Sequence, residues 1–476
     1  MLAACLLLAT QPLPASEVVA SPSLQVELDS YAQRMGTVAD DLWNWAELGY
    51  LETRSSALLQ DELREAGFQV ESGVAGMPTA FVARAGGDGP VIALLAEMDA
   101  RPGMSQAAEP VQEPLEGRAG GHACGHNLFG AGAVAAARAI HAWLQATGTP
   151  GQVRVYGTPA EEGGSGKVYM VRAGLFNDVD AVLHWHPSDH NSAAQHRSMA
   201  NVSGRFRFTG VAAHASISPE RGRSALDGVE ALNHMANLMR EHVPQQTRIH
   251  YTISEGGGAP NVVPATAAVY YYVRHPDPAV VQEVFGRLEK AAHGAALGTG
   301  TQVAYEPLGG VYSLLPNDTL GRVLDATLRE DGGVQYSSAE RAFAEAMQRN
   351  FEQAPPLEQA LQVGEYSDEG FSHASTDVGD VSWIVPTAGL STATWVPGTA
   401  AHSWQAVAAS GHPIGRAGTL LAARTLARAA ARLYTEPELL REARTELGER
   451  KGEGFAYTPL LQRETPPLDY RLPSED

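Results

Sequence analysis

A chain of 476 residues is too long for one ordinary hydrophobic core, so at least two domains are expected. Its hydrophobic share of 44% is that of a globular protein, and past the N-terminal run no stretch approaches the ~20 consecutive apolar residues of a membrane span. The formal net charge of -20, without a basic run or basic helix, excludes nucleic acid and anionic membrane as partners, although a local arginine could still hold a small anionic substrate.

The first residues, MLAACLLLATQPLPAS, form a short apolar run ending in small residues and proline, the pattern of a secretory signal without its usual preceding basic residue. A leader over residues 1–20 and an exported, periplasmic location are expected. LAAC at Cys5 also resembles a lipoprotein cleavage site, which makes lipid anchoring the minority reading. Cys5 and Cys124 are the only cysteines, so leader removal leaves Cys124 without a disulfide partner. A lone thiol is ordinarily buried and inert; its neighbours here argue instead that a metal occupies it.

Residues 24–68 read as two helices, the second, SSALLQDELREAGF, opening on serine and closing near glycine. The runs TAFVARAG and VIALLAEMD read as strands, and the apolar continuity of the second suggests burial on both faces. GGHACGHN, residues 120–127, then sets His122, Cys124 and His126 on alternate positions of one glycine-flanked turn. Thiolate and imidazole are the side chains that bind borderline-soft divalent metals best, and a turn of little bulk lets them converge. A small-residue helix follows, then strand QVRVYG, which runs into GTPAEEGGSG with the adjacent carboxylates Glu161 and Glu162. Strand VDAVLHWHP comes after a further short helix. Such alternation predicts an α/β domain with its active loops at strand C-termini.

From about residue 199 the order becomes strand RFRFTG, helix SALDGVEALNHMANLMREHV, strands RIHYTISEG and AAVYYYVRHP, helix AVVQEVFGRLEKAAHGAALG and strand TQVAYEPL. That β-α-β-β-α-β order is the split βαβ, or ferredoxin-like, unit and reads as a complete inserted domain. Residues 312–370 read as helical and acidic without a clear place in the fold. The segment from SWIVPTAG to GRAGTLLAARTLARAAARLY returns to α/β style, and the polar, proline-bearing end reads as a surface-packed tail.

Taken together, GMPTAFVA, AEMDARPG, GHACGHNLFG, YGTPAEEGGSGK, VDAVLHWHP, HASISPERGRSALD, APNVVPA, STDVGDVSW and GTAAHSWQ resemble the M20 metallopeptidase and amidohydrolase family, in particular its amidohydrolase branch. The resemblance implies an α/β fold: a mixed-sheet binuclear metallohydrolase catalytic domain over residues 21–198 and 312–476, with the ferredoxin-like unit over 199–311 inserted as a lid or dimerisation domain. It implies Cys124, His126, Glu162, His186 and His402 as metal ligands around two divalent ions, manganese favoured and zinc possible, with the thiolate bridging. Glu161 matches the general base, and Asp99 the aspartate that orients a ligand histidine. Met98 stands where peptidase branches carry a histidine ligand, and Arg101 departs from the usual leucine and stays unassigned.

In the inserted unit His214, Asn261 and Arg274 match substrate-holding residues, His214 commonly reaching the site of a partner subunit. Arg223 is a second carboxylate-binding candidate, against the reading that both arginines are ordinary surface residues. For His184 and His122 a structural role is favoured, with a direct ligand role still open for His122; Asp377 and Asp380 read as lying near the site on a loop, with capping of the next turn as the alternative.

The expected activity is hydrolysis of an amide bond beside a free carboxylate, in N-acyl or N-aroyl amino acids such as p-aminobenzoyl-glutamate-like compounds, or in dipeptides. The enzyme is expected as a homodimer or as a heterodimer with a related subunit. Two other readings stay open: a metal-independent amidase with Cys124 as nucleophile, and a non-catalytic metal- or ligand-binding protein.

Overall fold

The computed structural model describes residues 22–472; the expected leader, with Cys5, lies outside the described residues. The larger sheet is built from β1 (Gln69–Ser72), β2 (Phe81–Gly86), β3 (Val91–Glu97), β6 (Gln152–Thr158), β7 (Ala181–Ser188) and β12 (Thr387–Ala393), in the spatial order β1-β2-β6-β3-β7-β12. Strands β6, β3, β7 and β12 pair in parallel, while β1 with β2 and β2 with β6 pair antiparallel, so the sheet is mixed. The run VIALLAE of β3 is buried almost throughout, as a strand covered on both faces must be. The edge strand β1, with its polar sequence QVES, carries no apolar signal and escapes a reading by hydrophobic pattern.

Helices His126–Thr147 and Ile414–Thr435 pack against this sheet and against each other. Both are rich in alanine and glycine, which lets backbones approach closely. A Cβ on Gly132 would stand 2.9 Å from the Trp185 ring of β7, so even alanine would be crowded there. A two-stranded hairpin, β4 (Arg101–Pro102) with β5 (Gly120–Gly121), ties the loop after β3 to the turn that carries Cys124.

The second sheet is antiparallel: β8 (Ala200–Thr209), β9 (Arg248–Glu255), β10 (Thr266–His275) and β11 (Gln302–Val311), in the order β11-β8-β10-β9. Helices Ala225–Met239 and Pro278–Thr299 pack on it and on each other. Each helix starts where the sequence marks it: Ser224 and Asp277 accept N-terminal backbone N–H groups, and Pro278 occupies the first turn. Phe206, Phe208, Val269, Tyr271 and Val273 alternate into a separate core. That core is not sealed within the unit, because Tyr312, Leu315, Trp383, Leu447 and Leu460 from later in the chain join it.

Residues 312–370, unplaced by pattern, contain helices Asp318–Asp331 and Ser338–Gln348, the second opened by a reciprocal Ser337–Glu340 cap. The described end of the chain lies largely on the surface, as expected, but Leu460 and Leu461, 4% and 1% exposed, anchor it in the two cores. No helix of the described residues is long and apolar enough to cross a membrane.

Candidate metal centre

The parallel strands end on one rim, where backbone direction delivers side chains beyond the sheet. Glu97 closes β3, Asp99 follows it, Glu161 and Glu162 follow β6, and His186 lies near the end of β7. The turn before helix His126–Thr147 brings Cys124 and His126, and the loop after β12 brings His402. Non-glycine residues in left-handed conformation gather here: Ala160 (φ 57°) and Ser165 (φ 58°) flank the glutamate pair, and His402 itself has φ 60°. Such strain persists only where the surroundings impose it.

The five expected ligands meet. The donor atoms of Cys124, His126 and His186 lie within 4.8 Å of one another, as do those of Cys124, Glu162 and His402, and Cys124 belongs to both sets. The ring orientations are fixed from behind. His126 Nδ1 lies 3.0 Å from the Asp99 carbonyl and 3.1 Å from its carboxylate, and His186 Nδ1 lies 2.7 Å from the Pro187 carbonyl. A carbonyl can only accept, so Nδ1 carries the proton in both rings and each Nε2 lone pair is free for a cation. Buried Glu162 Oε1 has no hydrogen-bond partner, and buried His126 Nε2 faces Glu97 Oε2 at 3.0 Å, two acceptors unless a proton or a cation stands between them. Such buried acceptors among sulfur, nitrogen and carboxylate donors are what a divalent cation would satisfy.

Electrostatics point the same way. Burial pushes the Cys124 thiol up, so its thiolate needs a nearby positive charge. Burial opposes a charged His126, yet Glu97 and Asp99 push it well above the usual histidine range. Glu161, half-buried, is raised well above the usual carboxylate range by burial and by Glu97 and Glu162. Its carboxylate forms a third close set with Glu97 and His126.

Four partners of this cluster, Glu97, Lys167, Tyr470 and Arg471, were not singled out from sequence. Glu97 Oε2 stands 3.0 Å from His126 Nε2, and its other oxygen takes the Lys167 ammonium at 2.7 Å. Lys167 is fully buried and also pairs with Asp377 at 2.7 Å, so Asp377 serves this network through its side chain and does not cap the turn with it. A charge ending an otherwise apolar buried strand was the available signal for Glu97; a lysine in a glycine-rich turn gave none. Arg101, left unassigned above, donates to Glu162 Oε2 at 2.6 Å and lies 3.2 Å from His402 Nε2. At the chain end Tyr470 Oη lies 3.4 Å from the Glu162 carbonyl, which Arg471 also reaches.

The remaining candidates lie elsewhere. His184 packs on Gly389 of β12, and burial pushes it down to about 4; His122 Nε2 donates to the Leu42 carbonyl at 3.1 Å, and burial pushes this ring down to about 3. Neither belongs to the two cysteine-centred sets. His214 is exposed in the loop after β8, where Nδ1 accepts from the Ser216 and Ile217 backbone N–H groups at 3.3 Å, leaving Nε2–H as a donor. Asn261 is its neighbour, its carbonyl accepting from Ala215 N–H. Arg274 Nη1 lies 3.5 Å from Ser375 Oγ with its guanidinium over Tyr272. Arg223 donates to the Glu220 and Gly222 carbonyls of its own turn, a structural use of the group.

The model of Peptidase family M20/M25/M40 matches residues 93–374. The chain is 38% identical to the B subunit of p-aminobenzoyl-glutamate hydrolase of Escherichia coli K12, over 92% of this chain and 97% of that protein. It is 31% identical to Xaa-Arg dipeptidase of Mus musculus, over 88% and 90% of the respective chains. Among solved structures, a putative aminohydrolase from methicillin-resistant Staphylococcus aureus superposes with a TM-score of 0.65 at 18% identity, covering 86% of this chain and 98% of its own.

Proposed function

Because the chain belongs to peptidase family M20/M25/M40, we infer that its convergent donors form the centre of a metal-dependent hydrolase that cleaves an amide bond beside a free carboxylate. Its substrates are N-acyl or N-aroyl amino acids, p-aminobenzoyl-glutamate-like compounds foremost, or dipeptides, in keeping with the names of its relatives. The observation that carries this reading is the membership of Cys124 in both donor sets. Two divalent ions would be held, one by Cys124, His126 and His186, the other by Cys124, Glu162 and His402. Resemblance favours manganese, and the sulfur and nitrogen donors also suit zinc. When bound, such ions polarise the substrate carbonyl and make water acidic enough to react near neutral pH.

The residues do the rest. Glu161 takes the proton of the attacking water and passes it to the leaving amine, a task suited to a carboxylate whose proton affinity is already raised. Asp99 holds His126 in one tautomer and, through its other oxygen, accepts the Glu162 backbone N–H at 2.9 Å, so one side chain fixes two ligands. His214, through Nε2–H, and Asn261 donate to the developing oxyanion from a partner subunit's inserted unit; Arg274 contacts the substrate further out. The domains are residues 21–198 with 312–476, and 199–311 as a ferredoxin-like lid and dimerisation unit. The partner is a second copy or a related subunit, a reading supported by similarity to both the A and the B chains of the Escherichia coli hydrolase. Export to the periplasm rests on the leader-like N-terminal run.

The test is Glu161→Gln. It should keep its metal by elemental analysis and lose roughly 100- to 10,000-fold in kcat. Wild-type activity should vanish on chelation and return with added manganese or zinc. Chelator-resistant turnover with a trapped acyl-thiol would install Cys124 as nucleophile instead, and metal binding without turnover would leave only a binding protein.

A further inference from the structure

The α-carboxylate of an acyl-amino acid is separated from the scissile carbonyl carbon only by nitrogen and Cα, so with ordinary bond lengths it lies within about 4 Å of the reacting atom. A cation that recognises it from within the same subunit therefore stands beside the ligand cluster. Among the described residues three cationic side chains touch that cluster. Lys167 is fully buried and already shared between Glu97 and Asp377. Arg471 reaches the main-chain carbonyl of Glu162 and stacks on Tyr470. Arg101 is different. Its Nη1 lies 2.6 Å from Glu162 Oε2 and 3.2 Å from His402 Nε2, its side chain is 35% exposed, and His402 beside it is 48% exposed. It stands beside His402, the one exposed residue among the five donors.

We propose that Arg101 recognises the substrate's α-carboxylate and sets the preference for amides next to a free acid. The inference rests on the amidohydrolase reading above. With Glu162 and His402 engaged as ligands, the guanidinium beside them needs another anion, and its planar fork matches a carboxylate through two parallel N–H bonds. The other arginines considered are placed less well: Arg223 is spent on its own turn, and Arg274 stands against Ser375 and Tyr272.

The experiment compares p-aminobenzoyl-glutamate with its α-carboxamide in wild type, Arg101→Leu, Arg101→Lys and Arg274→Leu, with metal content measured on each. Wild type should prefer the acid, and the acid-to-carboxamide ratio of kcat/KM should fall about 30-fold in Arg101→Leu, chiefly through KM. Arg101→Lys should restore part of the ratio, and metal content should hold. An unchanged ratio in Arg101→Leu overturns the proposal, as does a collapse confined to Arg274→Leu. Loss of metal from Arg101→Leu, with both substrates slowed alike, would make Arg101 a support for the ligands and overturn it too. Wild-type enzyme that cleaves neither compound, nor any acyl-amino acid, would instead sink the underlying hydrolase reading.

Discussion

Lys167 shows how much one side chain can hold without touching substrate. Burial disfavours its charge, yet the carboxylates of Asp377 and Glu97 push its pKa up, and both partners are themselves nearly inaccessible. Removing the ammonium strands two buried anions. Lys167→Met should therefore cost about 3–5 kcal/mol in chemical denaturation, and adding Asp377→Asn should recover part of that loss. Sequence alone hides this network, since no pattern singles out Lys167 or Glu97, although Asp377 reads as lying near the site. His126 and Cys124 were legible because their spacing within one glycine-flanked turn has few other uses. Arg101 could be seen to depart from the resembled pattern, but its placement beside Glu162 and His402 required the fold.

At the scale of elements, the chain end behaves as a strap. Leu460 and Leu461 anchor it in the cores, Tyr169 Oη donates to Thr465 O at 3.2 Å, and Tyr470 and Arg471 finish on the Glu162 carbonyl. Deleting residues 464–476 keeps the anchors and removes the grip on the glutamate turn. We expect such a protein to fold with nearly unchanged denaturation midpoint but to lose on the order of tenfold in kcat, since small misplacement of a catalytic group is costly. Steady-state kinetics beside circular dichroism would check both halves. Proline-bearing polar sequence gave no hint of this role, because hydrogen bonds to main-chain carbonyls leave no mark on composition. The β-α-β-β-α-β order was readable for the opposite reason: its strands alternate, its helices carry explicit caps, and both signals are local.

For the whole molecule, the contact between the two cores is the sensitive place. Asp380 is buried there, accepting from Tyr457 Oη at 2.6 Å and from Tyr312 N–H at 3.0 Å, and burial pushes its carboxyl up to about 7. A carboxyl that titrates higher when folded binds more protons in the folded state. Its stabilisation is complete below the unfolded value near 4 and fades as pH rises toward 7, by roughly 2–4 kcal/mol in all. The stability difference between wild type and Asp380→Asn should accordingly change in the asparagine variant's favour between pH 5 and 8, as read from urea midpoints; a constant difference would show that Asp380 does not titrate in this window. The change in pattern near residue 199 coincides with the start of the second sheet at Ala200. The cross-links of that sheet's core, Tyr312, Trp383, Leu447 and Leu460, come from positions scattered along the chain, which no periodicity connects.

Two of the three close donor sets share one atom, the sulfur of Cys124. If both of those sets hold cations as proposed, an oxidant or alkylating reagent that reached the thiol would disturb the two together, in a single event.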